Sequence, residues 1–328
     1  MEQRFNSIWY DRRTGGRWLR PLAGLYAGVI RLRRQLYRSG KLDRCRFKVP
    51  VIVVGNITAG GTGKTPLVQC LVARAQALGL QPGIVCRGYR GNARDWPRQV
   101  SANSDPLEVG DEAVLLAQQC GVPVVADPDR CAAVSLLLQQ GIDLVISDDG
   151  LQHYRLHRDA EIVVVDGERW FGNEALIPAG PLREPLGRLD EVDLVVVNGD
   201  PRDSGFASMQ LVPVRVRSLN GSQQSSLASW AGRRVHAIAG IGHPQRFFSM
   251  LSRHGIEVVA HQPGDHAVLA ATDFDFDDEL PVLMTSKDAV KADAINPVNA
   301  WVVEVQAEPD DKAAAAIDSL LRKLVTTP

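Results

Sequence analysis

Residues Val49–Pro66 read VPVIVVGNITAGGTGKTP. A β-branched run, Val51–Val54, gives way to a glycine-rich loop ending in Gly63-Lys64-Thr65. An apolar helix pattern follows at Leu67, Val68, Leu71, Val72 and Ala75. Strand, loop, Lys-Thr and helix in that order are the layout of a phosphate-binding P-loop. Gly60, Gly61 and Gly63 allow the tight turn that aims backbone N–H groups at phosphate oxygens, and the helix N-terminus adds partial positive charge there. The stretch Thr58-Ala59-Gly60-Gly61-Thr62-Gly63-Lys64-Thr65 is therefore the candidate nucleotide cradle. Lys64 would reach the β- and γ-phosphates, and the Thr65 hydroxyl would sit on Mg²⁺. Thr58 stands where the usual G-x-x-x-x-G-K-[ST] pattern has its first glycine, with Gly55 and Gly60 on either side.

Beyond this stretch, continuous apolar runs alternate with helical patterns. Strands are expected at Val51–Val54, Gly83–Cys86, Val122–Ala126, Leu144–Ser147, Ile162–Val165 and Leu194–Val197, and helices at Lys64–Leu78, Asp111–Gln119 and Arg130–Gln139. This rhythm predicts an α/β fold, a P-loop NTPase-like mostly parallel sheet with helices on both faces. Ligands on such sheets sit at the strand C-termini. One candidate strand, Leu144–Ser147, runs into Asp148-Asp149-Gly150, a Walker B arrangement in which one carboxylate holds Mg²⁺ opposite the P-loop hydroxyl. Gln152 and His153 follow at once, and a hydrogen-bonded structural role is the default for such a histidine. Read from the residues alone, Asp111 in Gly110-Asp111-Glu112 caps a helix. Arg87, in Arg87-Gly88-Tyr89-Arg90-Gly91, either meets an anion or sits in a surface turn. Residues 167–187 lack periodicity and form a long loop, the kind that is usually functional or mobile. Its Trp170 and Phe171 touch an apolar ligand or tuck under the loop; its Arg183 and Glu184 line the phosphate site or pair with each other.

Ser218–Ala231, rich in Ser, Gln and Gly, reads as a boundary. A smaller second α/β lobe is expected beyond it, with strands at Val235–Ala239, Ile256–Ala260, Pro281–Thr285 and Trp301–Val305 and helices at Arg246–His254 and Asp311–Leu324. It has no P-loop. Gly240-Ile-Gly242 is a lone G-x-G, and Asp265-His266 lies in a loop, from which a histidine can reach a neighbouring site. Thr285-Ser-Lys287-Asp288 resembles a guanine-reading T-K-x-D. That supplies the rival reading, a P-loop GTPase or metal-insertion chaperone, though the His/Cys-rich metal tract of such a chaperone is missing.

At 328 residues, 45% hydrophobic and 23% charged, the chain has the composition of a folded globular protein. Its net charge of −1 hides a split: residues 1–48 hold 13 Lys/Arg against 3 Asp/Glu, and the remainder 24 against 35. Within the basic segment, residues 16–38 predict an amphipathic helix, with Trp18, Leu22, Leu25, Tyr26, Val29, Leu32 and Leu36 at helical spacing. Its uncharged window, Pro21–Ile30, is far short of the ~20 residues that span a bilayer. Arginines flanking it describe a helix lying in a membrane interface, the alternative being a helix docked on the protein's own core. Nucleic acid is not expected, because no nucleic-acid motif accompanies the charge. The expected division is 1–48 as a basic membrane-contact segment, 49–220 as the P-loop core and 221–328 as a C-terminal lobe. The five cysteines, odd in number and without a C-x-x-C pair, read as reduced thiols and not as a disulfide framework or zinc site. No signal peptide is visible.

Together these stretches resemble the tetraacyldisaccharide 4′-kinase family of lipid A biosynthesis. The resemblance runs from about Val49 to about Lys291. It rests on Gly55-Asn56 with the P-loop, Arg87-Gly88-Tyr89, Gly110-Asp111-Glu112, Asp148-Asp149-Gly150-Leu-Gln152-His153, Pro178-Ala-Gly-Pro181-Leu-Arg183-Glu184, Ala239-Gly-Ile-Gly242, Asp265-His266 and Thr285-Ser-Lys287-Asp288-Ala-Val-Lys291. The chain departs from the family pattern at His243, where Asn is usual, and at Ala267-Val268, where an aromatic is usual. The resemblance implies Mg²⁺-dependent phosphoryl transfer from ATP to the 4′-hydroxyl of a tetraacyldisaccharide 1-phosphate, giving lipid IVA, between two lobes that close over a cleft. It implies Asp111 as general base with His266 as its partner and Lys64 on the γ-phosphoryl group. Thr65, with Asp148 or Asp149 and with Glu184, would organise Mg²⁺. Arg87 and Arg183 are candidates for the substrate's anionic groups, with Gln152 and His153 beside them. It also implies a peripheral or monotopic position on the cytoplasmic face of the inner membrane. The expected partners are the lipid substrate and an anionic membrane surface, with no obligate protein partner.

Overall fold

The computed structural model describes residues 9–10, 17–264 and 267–326. In chain order the elements are α1 (Arg20–Arg38), β1 (Val51–Gly55), α2 (Lys64–Ala77), β2 (Pro82–Cys86), β3 (Arg98–Val100), α3 (Asp111–Cys120), β4 (Val124–Ala126), α4 (Arg130–Leu137), β5 (Leu144–Asp148), β6 (Ala160–Asp166), β7 (Leu194–Asn198), β8 (Ala207–Ser218), β9 (Gln224–Ser225), β10 (Arg234–Ile238), α5 (Pro244–Arg253), β11 (Glu257–His261), β12 (Val282–Thr285), α6 (Ser286–Ala292), β13 (Ala300–Pro309) and α7 (Asp311–Thr326). A single turn at Pro106–Val109 and short 3₁₀ turns complete the path. Every expected strand forms.

The period of two along each strand builds the core. Ile52 and Val54 of β1 join Leu67 and Leu71 of α2 on one face of the sheet, while Val51 and Val53 join Val134 and Leu137 of α4 on the other. Both faces are covered, so the strands are apolar throughout. Truncating a fully buried leucine such as Leu67 to Ala costs about 2–5 kcal/mol.

One sheet contains all the strands, in the order β11-β10-β12-β13-β8-β7-β6-β1-β5-β2-β4-β3, with β9 paired to β8. Strands β8 to β4 along this order are parallel, as are β11 to β13. The two sets meet at an antiparallel joint, from Trp301 opposite Ser218 to Pro309 opposite Met209. Strand β7 pairs only with the start of β8 (Asn198 opposite Met209), and β12 only with the start of β13 (Thr285 opposite Val303). The C-terminal edges of the two parallel sets therefore face each other across the middle of the β8–β13 ribbon. A ligand cleft follows from that topology.

The stretch expected as a boundary is built into this joint. Gln224–Ser225 pairs back onto β8, and Trp230 is buried with its ring 5.1 Å from that of Trp301. Strand β8 is not among the expected strands, and its Pro213 is a residue that central strands rarely hold. The ladder accommodates the proline at a register shift, where Glu304 faces Arg215 and Val305 faces Pro213.

Helix α1 forms as expected and docks by one face only. Leu19 and Ala23 pack on Ala179, and Arg34 and Arg38 pair with Glu191. Its other face carries Trp18, Leu22, Leu25, Val29 and Leu32, which are 54–74% exposed. Tyr26 and Leu36 of the expected stripe are half-buried instead. Among the described residues no helix is long and apolar enough to cross a membrane.

The cysteines correct one expectation. Cys45 and Cys131 form a disulfide, with Cα atoms 6.1 Å apart, while Cys70, Cys86 and Cys120 are free. Eighty-six residues separate the pair. A β-bridge between Cys45 and Leu156 brings the chain back to the start of α4, which no local spacing announces.

Candidate active site

The P-loop is held from three sides. Gly60 and Gly63 have φ of +99° and +95°, which favours glycine at both positions. The carbonyls of Gly60, Gly61 and Thr62 accept hydrogen bonds from Asn56 Nδ2 (3.2 Å), Arg169 Nη2 (2.7 Å) and Asn198 Nδ2 (3.0 Å). The amide of Ala59 donates to the carbonyl of Pro181 at 2.8 Å, so the 178–184 loop braces the cradle. With three successive carbonyls tied back, the loop amides are the groups left for a phosphate.

Beside the cradle, β5 ends in the acidic pair. Asp149 takes a left-handed φ of +48°, and its carboxylate lies 3.4 Å from Lys64 Nζ and 3.4 Å from Arg183 Nη1. Burial would raise its pKa, but the charges of Lys64, Arg183 and Arg130 overcome this and hold it at about 2. Asp148 is pushed up to about 7, by burial first and then by the charge of Glu112. Its Oδ1 is buried with no hydrogen-bond partner, as is Thr62 Oγ1. Arg130, buried at the start of α4, donates to the carbonyls of Asp127 and Asp148.

Glu184 is fully buried; Oε1 accepts from Gln152 at 2.9 Å and Oε2 lies 3.3 Å from Arg188 Nε. Gln152 also donates to the carbonyl of Asn56 at 3.0 Å, fastening the residues after β5 to the P-loop. His153 points elsewhere, with Nε2 4.0 Å from Asp129 Oδ1; burial and then the Arg130 charge push it down to about 4. Arg87 is exposed at the C-terminal end of β2, and Thr65 is half-buried in the first turn of α2.

In the same half of the sheet, Asp111 is buried at the start of α3 and faces across the cleft, with Oδ2 3.9 Å from Lys291 and 4.0 Å from Lys287. Both lysines belong to α6, in the second parallel set. His266, the expected partner of Asp111, and the adjacent Asp265 lie outside the described residues. Asp288 is fully buried, and its oxygens are taken by the Gly240 amide (3.0 Å), Thr285 Oγ1 (2.7 Å) and Lys291 Nζ (3.0 Å). Thr285 caps α6, accepting from the Asp288 amide, and the Asp288 carboxylate, spent on these partners, presents no acceptor to a guanine, which removes the basis of the GTPase rival.

Three residues that sequence reasoning did not name complete the site. Arg169 joins the P-loop to the second set of strands: besides Gly61 it donates to the Gly242 carbonyl at 3.1 Å and to Asp166 at 3.0 Å. Asp166 also pairs with Arg246 (2.8 Å) and His243 (3.4 Å). Burial opposes ionisation of Asp166, but His243, Arg246 and Arg169 hold its pKa well below the usual range. Asp166 and Asn198 end β6 and β7, so the apolar-run-then-polar signal that marked Asp148 also marks them.

A P-loop, an acidic strand end and a buried carboxylate on one sheet edge, the carboxylate facing two lysines from the other, define a P-loop phosphotransferase. The chain belongs to the tetraacyldisaccharide-1-P 4′-kinase family, whose model matches residues 16–323. It is 50% identical over 306 residues to the tetraacyldisaccharide 4′-kinase of Alkalilimnicola ehrlichii, covering 93% of this chain and 92% of that one. It is 49% identical over 319 residues to that of Halorhodospira halophila, with coverage of 97% and 96%. Among solved structures it is similar to the "apo" form of LpxK from Aquifex aeolicus in complex with ATP, with a TM-score of 0.79 and 27% identity over 94% of this chain and 99% of that one.

Proposed function

We propose that the chain transfers the γ-phosphoryl group of ATP to the 4′-hydroxyl of a tetraacyldisaccharide 1-phosphate, the step that gives lipid IVA. The carrying observation is the pairing of Lys64 with Asp149 in the half of the sheet that also carries Asp111, whose carboxylate faces Lys287 and Lys291 of the other half. The ATP-bound relative and the named relatives agree with it.

Phosphoryl transfer needs positioning and charge stabilisation more than covalent help. The P-loop amides and Lys64 hold the β- and γ-phosphates, and Lys64 exchanges its contact with Asp149 for the phosphate. Asp111 accepts the proton of the attacking hydroxyl as the new bond forms, with Lys287 and Lys291 balancing its charge and His266 as its partner. Arg183 and Arg87 meet anionic groups of the substrate. The unpartnered buried oxygens of Asp148 and Thr62 are hard donors of the kind a small divalent cation takes, so the residues fit Mg²⁺. Asp148 and Thr65 would hold it, with Asp149 as the neighbouring carboxylate; Glu184, proposed with them, has its oxygens on Gln152 and Arg188. When bound, Mg²⁺ neutralises charge on the phosphate oxygens.

The division of labour follows the sheet: 49–220 carries the nucleotide site and 221–328 closes over it. Residues 1–48 meet the membrane. Support comes from the exposed apolar face of α1 and its flanking arginines. Such a helix lies at the lipid phosphates, and the acceptor's acyl chains keep it in the bilayer, at the cytoplasmic face of the inner membrane.

The test is transfer of labelled γ-phosphate to lipid A disaccharide 1-phosphate in mixed micelles, with ATP or GTP, and with Mg²⁺ or EDTA. Mg²⁺-dependent label from ATP is expected. A folded, ATP-binding chain that leaves the lipid unlabelled overturns the reading.

A further inference from the structure

Outside the phosphate site, a second cluster of ligating atoms converges at the start of α4. The ligand atoms of Asp129, Cys131 and His153 lie within 4.8 Å of one another, and the disulfide bonds the Cys45 sulfur to that of Cys131. We propose that, once the disulfide is reduced, Cys45, Cys131, His153 and Asp129 form a binding site for a thiophilic divalent cation, Zn²⁺ by ligand type.

Each ligand is set by backbone, not by a flexible loop. Cys45 is pinned on both sides, its amide donating to the Arg155 carbonyl and its carbonyl accepting from His157, both at 2.9 Å. His153 sits in a turn closed by its own amide to the Gly150 carbonyl at 2.9 Å. Asp129 caps α4, and Cys131 lies in its first turn. Nothing about a disulfide requires a histidine and a carboxylate beside it. Yet His153 Nε2 is buried with no hydrogen-bond partner, 4.0 Å from Asp129 Oδ1. A metal would satisfy that nitrogen.

The donor set suits zinc. Two sulfurs, one imidazole and one carboxylate make a four-coordinate set, with bond lengths of about 2.3, 2.0 and 2.1 Å. Ligand atoms at those lengths lie about 3–4 Å apart, so the His153, Asp129 and Cys131 atoms draw in by up to roughly 1 Å while the two sulfurs, no longer bonded, move apart by roughly 2 Å. The 6.1 Å between the Cys45 and Cys131 Cα atoms leaves room for either state. Two thiolates and a carboxylate around Zn²⁺ carry one net negative charge. Arg155, 2.5 Å from Asp129, and the positive end of α4 meet it.

The chemistry balances with a dithiol reductant. The reductant's two thiols lose two electrons and two protons and become a disulfide. The Cys45–Cys131 bond takes them up and becomes two thiols. Zn²⁺ then displaces both thiol protons to solvent.

The test uses the full chain, oxidised and dithiol-reduced, titrated with Zn²⁺ alone by calorimetry and with Co²⁺ by absorption. Reduced protein is expected to bind one Zn²⁺ with Kd below ~1 µM. Co²⁺ should give tetrahedral bands with thiolate charge transfer, a signature that carboxylates at Asp148 and Asp149 cannot produce. Oxidised protein should lack both. Cys45→Ser should abolish the charge transfer or halve it, and His153→Ala should weaken affinity by about 10–100-fold. Circular dichroism checks that each variant folds; the wild-type comparison of redox states stands without them. Reduced protein that takes up no Zn²⁺, or binding that is unchanged in folded Cys45→Ser, overturns the proposal.

Discussion

The hydroxyl of Tyr26 donates a 3.2 Å hydrogen bond to the backbone carbonyl of Arg183, whose guanidinium lies 3.4 Å from Asp149. This bond adds a polar tie to the packing of α1 on Ala179 and fixes its docked face to the loop beside the acidic strand end. Removing it in Tyr26→Phe leaves the ring in place and should lower turnover on bilayer-borne acceptor by about 2- to 10-fold, the kinetic equivalent of one hydrogen bond. Steady-state kcat of the variant decides it, and an unchanged value would show that Arg183 is positioned without help from α1.

Lys64→Ala removes the cation that faces Asp149 and, in the proposed reaction, the γ-phosphoryl group. Transfer should fall by at least about 100-fold, the usual loss for one preorganised charge-stabilising group. Single-turnover kinetics at saturating ATP separate this from weak binding. Near-normal rates would refute the P-loop assignment.

Arg169 ties the P-loop carbonyl of Gly61 to Gly242 and to Asp166 through one planar fork. A lysine carries the charge but cannot make three directed contacts at once. Arg169→Lys is therefore expected to impair kcat nearly as much as Arg169→Ala. The fold should survive both, because Asp166 keeps Arg246 and His243. Full rescue of kcat by lysine would reduce Arg169 to a simple counter-charge.

On α1, Leu25 and Val29 are 69% and 57% exposed while Ala23 is 8% exposed. The double variant Leu25→Glu, Val29→Glu should lose flotation with anionic vesicles while its melting temperature stays put, since neither side chain packs on the protein. Ala23→Glu should do the reverse and lower the melting temperature by burying an unpaired charge. Equal flotation of the double variant and the parent chain would mean that this face serves something other than lipid.

Much of the site was legible because its signals are local. The P-loop, and the run into Asp148 and Asp149, each announce themselves within ten residues, as does the amphipathic pattern of α1. What escaped depends on distance along the chain. Asp111 reads as a cap by itself, and only the resemblance raised it to a catalytic candidate; the lysines it faces are some 180 residues away. Asp166 and Asn198 carried the same strand-end signal as Asp148 but lacked a second acidic neighbour to draw notice. Arg169 sits in an aperiodic loop, where nothing distinguishes one arginine from another. The Cys45–Cys131 pair was hidden because a β-bridge to Leu156, not a spacing, brings it together.

The antiparallel meeting of β8 and β13 also decides how separable the molecule is. A chain cut near residue 220 would leave β8, a twelve-residue strand, with a bare edge of backbone donors and acceptors where β13 had lain. The remaining piece would expose β13 in the same way. Such long edges recruit other strands, their own copies first. Neither piece is thus a soluble unit in its own right, and fragments made to isolate the nucleotide site should be found in the pellet.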